Sequence, residues 1–447
     1  MRRVVVCTLA LCSLLWVQKG VGKEQSQSLN LSMVIEKTLS NHPSVQAAKS
    51  RLGASESRVS QSWSNLFPNI SLQASLGTFH DRTPNPGEDV IPLVGRDRNR
   101  YVGKLVVKQP VFHGFALWEG IKQSETQMKV AKNALDSAIS QALQETLSLY
   151  FEIQVKQREL ASRKEAKVSL VNQLKQTETR FAQGRSTKLQ LLQSRFAATA
   201  EDPKIEELNG VLEQKLFKLS QRLNINELDK YEFTDSLSQA MKVLDESALP
   251  PLAEAVEILS GNNPKIKQAS LQMLIEESQL GIDLSDDLPS LDLLLTAGTD
   301  SFLRRDIATS DTLFYGAEVM LTVPLFSGLS SVAERSAGRA AIEAERRNAQ
   351  RVRQDELTRL LMAYQSWKVS SSQIEVAASR MAYTEELLSQ MKKRLRAGSV
   401  TVTEVLDAQS QYLEAKTLSG DAVIQKINAV TEIRSLLGWF NTGAQKL

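Results

Sequence analysis

The residues of this chain that could do chemistry are few, and their spacing does not favour catalysis. The three histidines, His42, His80 and His113, stand far apart with no metal-ligand spacing between them. There is no Gly-x-Ser-x-Gly elbow and no phosphate loop. Both cysteines, Cys7 and Cys12, fall in an apolar N-terminal stretch. These observations call for no cofactor and no metal, and point away from an enzyme. The remaining candidates act through charge. Glu404 and Asp407 are three apart and share a helix face, so their carboxylates add to one local field. The same acids in a first helical turn also complement the helix dipole, and Glu404 completes a capping box with Thr401. A second set, Lys104, Lys108, Asp292 and Glu318, alternates with apolar residues, as charges on one face of a strand do.

These positions belong to a pattern written twice. Pro110, Phe112 and Gly114 recur as Pro324, Phe326 and Gly328, and Arg180 and Gly184 recur as Arg394 and Gly398, always 214 residues later. Upstream the offset is 221, from Pro43 to Pro264 and from Pro68 to Pro289, so the first copy carries a loop seven residues longer. Two copies of about 200 residues form an internal duplication, and what they build has pseudo-symmetry.

Arg2 and Arg3 precede the apolar run Val4 to Val17, and Gly20-Val21-Gly22 offers small residues for cleavage, which predicts a secretory signal over 1–22. Leu11 before Cys12 disfavours a lipoprotein site. Without Arg2, Arg3 and Lys19 the net charge of +3 vanishes, so the exported chain is neutral, without cysteine, and lacks a nucleic-acid binder's basic footprint. No later apolar stretch reaches the length of a spanning helix, which leaves a β-barrel as the route into a membrane.

Each copy lists the same elements. The first runs over 23–224, with strands at about 69–77 and 101–111 and a helical hairpin at about 115–223. A linker at 225–250 follows, expected to pack around the outside of the helices. The second copy covers 251–447, with strands at about 290–298 and 313–325, a hairpin at about 329–437 and a short tail. In the strands Ile70, Leu72, Ala74 and Leu76 face away from Ser71, Gln73 and Ser75, a period of two at the length of a tilted transmembrane strand. After Gly114 and Gly328 come about 69 proline-free helical residues each. Leu360, Trp367, Ile374, Met381, Leu388 and Leu395 fall on one heptad line, as do Ile153, Leu160, Leu174 and Phe181 with Lys167 interrupting. Gly184 and Gly398 stop these helices, and Thr187-x-x-Gln190 and Thr401-x-x-Glu404 restart them. Pro203 kinks the first return helix, while its counterpart Thr417 does not.

Four strands cannot close a barrel, so several chains must share one; three would give twelve strands and an open lumen. At this point the chain resembles the TolC family of outer-membrane efflux and export channels, on the duplicated N-x-P breaks, "QPVFHG" with "VPLFSG", and the tips "RFAQGRSTKLQLLQSR" and "RLRAGSVTVTEVLDAQ". The resemblance covers about Leu29 to Phe440. It implies a mainly α protein with membrane β-structure: a homotrimer with a 12-stranded barrel in the outer membrane over a 12-helix periplasmic tube. It also implies a passive, cofactor-free duct of an efflux or type I secretion system, served by a periplasmic adaptor (membrane fusion protein) and an inner-membrane pump. Glu404 and Asp407 then ring the periplasmic constriction. The tyrosine–arginine latch of some members is not carried over, because Leu395 and Val400 stand at the matching positions. Arg180, Gly184, Ser186, Arg394, Gly398 and Ser399 become adaptor-docking tips, and Lys104, Lys108, Asp292 and Glu318 line the barrel lumen. Residues 78–100 and 299–312 become outer loops, and Tyr101, Phe112, Phe314, Tyr315 and Phe326 an aromatic girdle. The competing class is a non-channel periplasmic adaptor or scaffold, which would not need four strands of membrane length. Substrate type stays open between drugs, metals and proteins.

Overall fold

The computed structural model describes residues 27–81, 96–225, 231–233, 249–301 and 312–440. The expected signal, the tips of both outer loops, most of the linker and the C-terminal tail lie outside the described residues. A short strand β1 (Gln27–Leu29) leads into α1 (Leu31–Asn41) and α2 (Pro43–Ser64). The break between these helices follows from Pro43, which has no N–H and opens α2, with the His42 ring accepting a hydrogen bond from the Ser44 amide at 3.3 Å. Strands β2 (Asn69–Asp81) and β3 (Arg96–His113) follow, then the long helix α3 (Ala116–Ala182) and its return α4 (Lys188–Ala200) and α5 (Asp202–Leu223). Strand β4 (Tyr231–Phe233), in the linker, pairs in parallel with β1. The second copy runs through α6 (Leu252–Asn262), α7 (Pro264–Ser285), β5 (Ser290–Ser301), β6 (Leu313–Thr322), α8 (Ser330–Arg396) and α9 (Val402–Leu436). Among the described residues no helix is long and apolar enough to cross a membrane.

Helices α3 and α8 have the same length, 67 residues, or roughly 100 Å at 1.5 Å per residue. The large-residue heptad line is buried at Leu360 and Leu388. A second line three residues on, Ala363, Ser370, Ala377 and Thr384, is buried too. Hydropathy hides it because its side chains are small, yet small side chains let the facing helix approach. The return helix is broken in one copy only. Pro203 sits in the first turn of α5 and α4 stops at Ala200, whereas α9 runs unbroken past Thr417. The main core lies where α1, α3, α5 and α9 meet, around Leu29, Tyr150, Phe151, Ile153, Leu219, Leu223 and Phe440.

The four long strands form one antiparallel sheet in the order β2-β3-β5-β6. Ile70 pairs with Val107, and Leu291 with Leu321. These positions differ by 221 and 214, so both hairpins keep the same register. Strands β2, β3 and β5 run further than the alternation predicted. Beyond an apolar zone the backbone ladder still satisfies its own groups, so the side chains there need not alternate. Thr78 and Asn99, expected in a loop, are paired in the ladder and joined side chain to side chain at 2.9 Å. Strand β6 is instead shorter than the expected 313–325. In the first copy β3 continues through a bulge between Pro110 and Phe112 because β5 holds it, pairing Phe112 with Leu291. Strand β6 has no such neighbour in the chain, and it is exposed along its whole length.

Strand meets tube through the same turn twice. Gly114 and Phe115 have φ of 56° and 73°, and Gly328 and Leu329 have 66° and 68°. Two successive left-handed residues, the second bulky, are strained and reverse the chain sharply into α3 and α8. A Cβ on Gly114 would lie 2.5 Å from the Ser285 carbonyl oxygen and 2.9 Å from Leu288, whereas Gly328 faces open space.

Candidate functional sites at the tube tips and on the sheet

Both tips are built by the same backbone bonds. The Arg185 amide donates to the Arg180 carbonyl at 2.7 Å and the Gly184 amide to Phe181 at 2.9 Å; Ser399 and Gly398 repeat this onto Arg394 and Leu395 at 3.0 and 3.1 Å. This double bond closes a helix on a left-handed residue, and φ is 69° at Gly184 and 78° at Gly398. The expected capping boxes restart both chains. Arg180, Gly184, Arg394, Gly398 and Ser399 are exposed and Ser186 is half-buried, its hydroxyl donating to Gln190 at 2.8 Å.

Glu404 and Asp407 share an exposed face of α9. Glu404 is already engaged: its Oε2 accepts from the Thr401 amide at 2.6 Å and from the Thr401 hydroxyl at 2.9 Å. The amide bond first, then the hydroxyl, holds this carboxyl below the ordinary carboxylate range, so it stays charged. Asp407 lies in a groove of about 300 Å³ between α4 and α9, beside Gln193, Phe196 and Thr403. The Thr403 hydroxyl donates to Gln193 at 3.1 Å, which ties the second hairpin to the first. The counterparts of the two acids, Gln190 and Gln193, are neutral, so within one chain the acids come from the second hairpin alone.

The register puts Lys104, Lys108, Asp292 and Glu318 on one face of the sheet, since Lys108 pairs with Leu294 and Leu294 with Glu318. Lys108 reaches Asp292 at 3.4 Å, and His113 Nε2 lies 3.0 Å from the same carboxylate. No spacing pattern announces the His113–Asp292 pair, because its members are 179 residues apart. Arg100 and Asp300 form a second such pair on this face, Nε donating at 2.8 Å. The opposite face carries the apolar residues and is uncovered among the described residues: Leu72 is 78 % exposed, Leu76 71 %, Val319 67 % and Tyr315 92 %. Of the predicted aromatics, Phe112 stacks edge-on against Phe115 at 5.3 Å and Phe326 is exposed. Trp63 and Trp118, not foreseen, pair at 6.1 Å at the same end of the tube.

A charged cluster inside the shaft also escaped the sequence reading. Glu159 accepts from Lys156 at 2.9 Å and from the Thr417 hydroxyl at 2.9 Å, and Arg163 bridges Glu159 (3.3 Å) and Glu201 (3.1 Å). Burial alone would raise the Glu159 carboxyl, but the hydrogen bonds from Lys156 and Thr417 and the charges of Lys156 and Arg163 outweigh it and hold the group low. The lysine that interrupts the heptad line, Lys167, pairs with Asp202 at the α4–α5 break. No cluster of potential metal ligands occurs among the described residues.

Comparison with known proteins returns the same duplication. The model of the family described as outer membrane efflux protein matches twice, at residues 34–224 and 256–439. Protein CyaE of Bordetella pertussis strain Tohama I is 20 % identical over 393 residues, spanning 88 % of this chain and 80 % of that protein. The Campylobacter jejuni CmeC outer membrane channel superposes with a TM-score of 0.80 at 15 % identity, covering 96 % of this chain and 94 % of its own. The outer membrane protein VceC of Vibrio cholerae superposes with a TM-score of 0.75 at 14 % identity, covering 91 % and 95 %. The tube-and-sheet fold is therefore that of solved outer-membrane channels.

Proposed function

The chain belongs to the outer membrane efflux protein family, and from that premise we propose that three copies form a passive duct whose tips dock a periplasmic adaptor serving an inner-membrane pump. It is an outer-membrane channel protein with its helices in the periplasm. The scaffold alternative gives way to that membership.

One observation carries the trimer. Within the chain the second strand of copy one, β3, pairs with the first strand of copy two, β5, with Leu105 opposite Ala297. Applying the two offsets (105 + 214 and 297 − 221) sets Val319 of β6 opposite Leu76 of β2 in a neighbouring copy. Both residues are exposed on free edges of the sheet, and unpaired edges are not tolerated in hydrocarbon. The offsets likewise bring Gly328 to Ser64 and Phe67 of the neighbour, as Gly114 meets Ser285 and Leu288 within the chain. The interface is head-to-tail, so it must close into a ring. Three copies of four strands give twelve, enough for a lumen, where eight would be filled by side chains. In that ring Lys104, Lys108, Asp292 and Glu318 face water and the apolar face meets lipid.

Because the exported chain has no cysteine of its own, the seam can be tested directly. Leu76→Cys/Val319→Cys should oxidise to covalent dimers and trimers, since opposed strand residues sit within disulfide reach. Leu72→Cys/Val319→Cys, out of register, should not. Equal linking in both pairs, or none in the first, overturns the seam. At the other end, Glu404 and Asp407 form the constriction, six carboxylates around one axis. Single-channel conductance should be cation-preferring and lose that preference in Glu404→Gln/Asp407→Asn. Openings unchanged by the double variant would leave the two acids as helix caps.

A further inference from the structure

The tips carry a charge that the duct itself does not explain. Residues 178–192 contain Glu178, Arg180, Arg185 and Lys188, a balance of +2; the equivalent residues 392–406 contain Lys392, Lys393, Arg394, Arg396 and Glu404, a balance of +3. Each chain thus places +5 at one end, or +4 with Asp407 counted, while the rest of the exported chain carries the balancing negative charge. Cations in the last turn of a helix are ordinarily explained by its dipole, and that account covers Arg180, Lys393, Arg394 and Arg396. It fails for Arg185, which lies beyond α3. It fails more clearly for Lys188, the first residue of α4, where the dipole disfavours a cation.

Pairing sets these cations apart as well. Along the shaft Lys156, Arg163, Lys167, Lys204 and Lys215 each hold an ion pair. At the tips, among the described residues, Arg180, Arg185, Lys188, Lys392, Lys393, Arg394 and Arg396 hold none; the ion pairs nearest them are Arg195–Glu178, at the edge of the first tip, and Arg380–Glu414, further up the helices. Burial first, and the neighbouring Arg396 after it, push the Lys392 ammonium down. The acids of the second tip are turned to other uses: Glu404 caps α9 and, with Asp407, forms the proposed constriction.

We propose that the tips form a cationic docking ring for a protein partner whose docking end is acidic, with Arg180, Arg185, Lys188, Lys393, Arg394 and Arg396 meeting its carboxylates. This rests on the reading of the tips as the adaptor-docking end and adds the partner's chemistry. Charge of this kind sets register and encounter rate more than depth of binding, and it weakens with salt.

The test is photo-crosslinking in the cells that make the protein, with a photoreactive phenylalanine at Ser399 and, as a control, at the exposed shaft residue Val168. The linked partner peptide is sequenced. The expected result is a link at Ser399 into a helical segment with net negative charge around the linked residue. Its yield should fall roughly tenfold in Arg185→Glu/Arg394→Glu and by a few-fold in Arg185→Gln/Arg394→Gln. The glutamine pair keeps the test informative if the reversed variant assembles poorly. A neutral or basic linked segment, or a yield indifferent to both variants, overturns the charge inference and leaves tip docking standing. Protein links at Val168 but not at Ser399, or lipid adducts alone at Ser399, overturn tip docking and the inference with it.

Discussion

Removing Glu201 should weaken the shaft more than removing any exposed carboxylate near it. Glu201 is 7 % exposed and sits where α4 gives way to α5. Its carboxylate receives Arg163 at 3.1 Å and Lys204 at 3.2 Å. In Glu201→Ala, Arg163 keeps Glu159 at 3.3 Å, so it is not fully orphaned, but it loses one charged hydrogen bond in a nearly dry position. Such a bond contributes about 1.5–3 kcal/mol. Lys204 is half exposed and adds less than about 1 kcal/mol. The expected loss is therefore about 1.5–4 kcal/mol per chain. Glu201→Gln, which keeps an acceptor for Arg163, should lose about half as much. The assay is denaturant unfolding followed by the helical circular dichroism of the purified protein, with Glu206→Ala, an exposed neighbour on α5, as the reference. A midpoint for Glu201→Ala equal to that of Glu206→Ala would refute the reasoning and reduce the cluster to surface charge.

Acidification should act through Glu159. Its folded carboxyl titrates below its ordinary 4.5, so its stabilisation is complete above that pH and is lost as pH falls through the folded value. The melting temperature should drop below about pH 4.5, and Glu159→Gln should flatten that drop while lowering stability at neutral pH. Gly114→Ala and Gly328→Ala should fail at different stages. Each sets a Cβ at positive φ, costing about 1–2 kcal/mol. Only Gly114→Ala also strikes Ser285 and Leu288 within the chain. Gly328→Ala should therefore keep its helical dichroism yet give less trimer on a semi-native gel, whereas Gly114→Ala should lose both. Pro203→Ala removes the reason for the α4–α5 break. The two segments should join as α9 does, seen as slower hydrogen exchange at residues 200–204.

Periodic and local features were legible along the chain. A repeated proline, glycine or capping Thr has its effect within a few residues, so the breaks at Pro43 and Pro264, the tip turns at Gly184 and Gly398, and both capping boxes were legible in advance. Period two fixed which strand residues share a face, and the offsets of 214 and 221 proved to be the register shift between the two hairpins. The tertiary structure decided whatever depends on residues distant in the chain. The His113–Asp292 pair, and the links of Arg163 to Glu201 and of Glu159 to Thr417, join elements that only folding brings together. The small-residue heptad line Ala363, Ser370, Ala377 and Thr384 carries little hydrophobic signal, and close helix packing is what buries it. The strand lengths were decided in the same way. A strand lasts as long as its neighbours hydrogen-bond it, which is why β3 passes its proline and β6, at an open edge, does not.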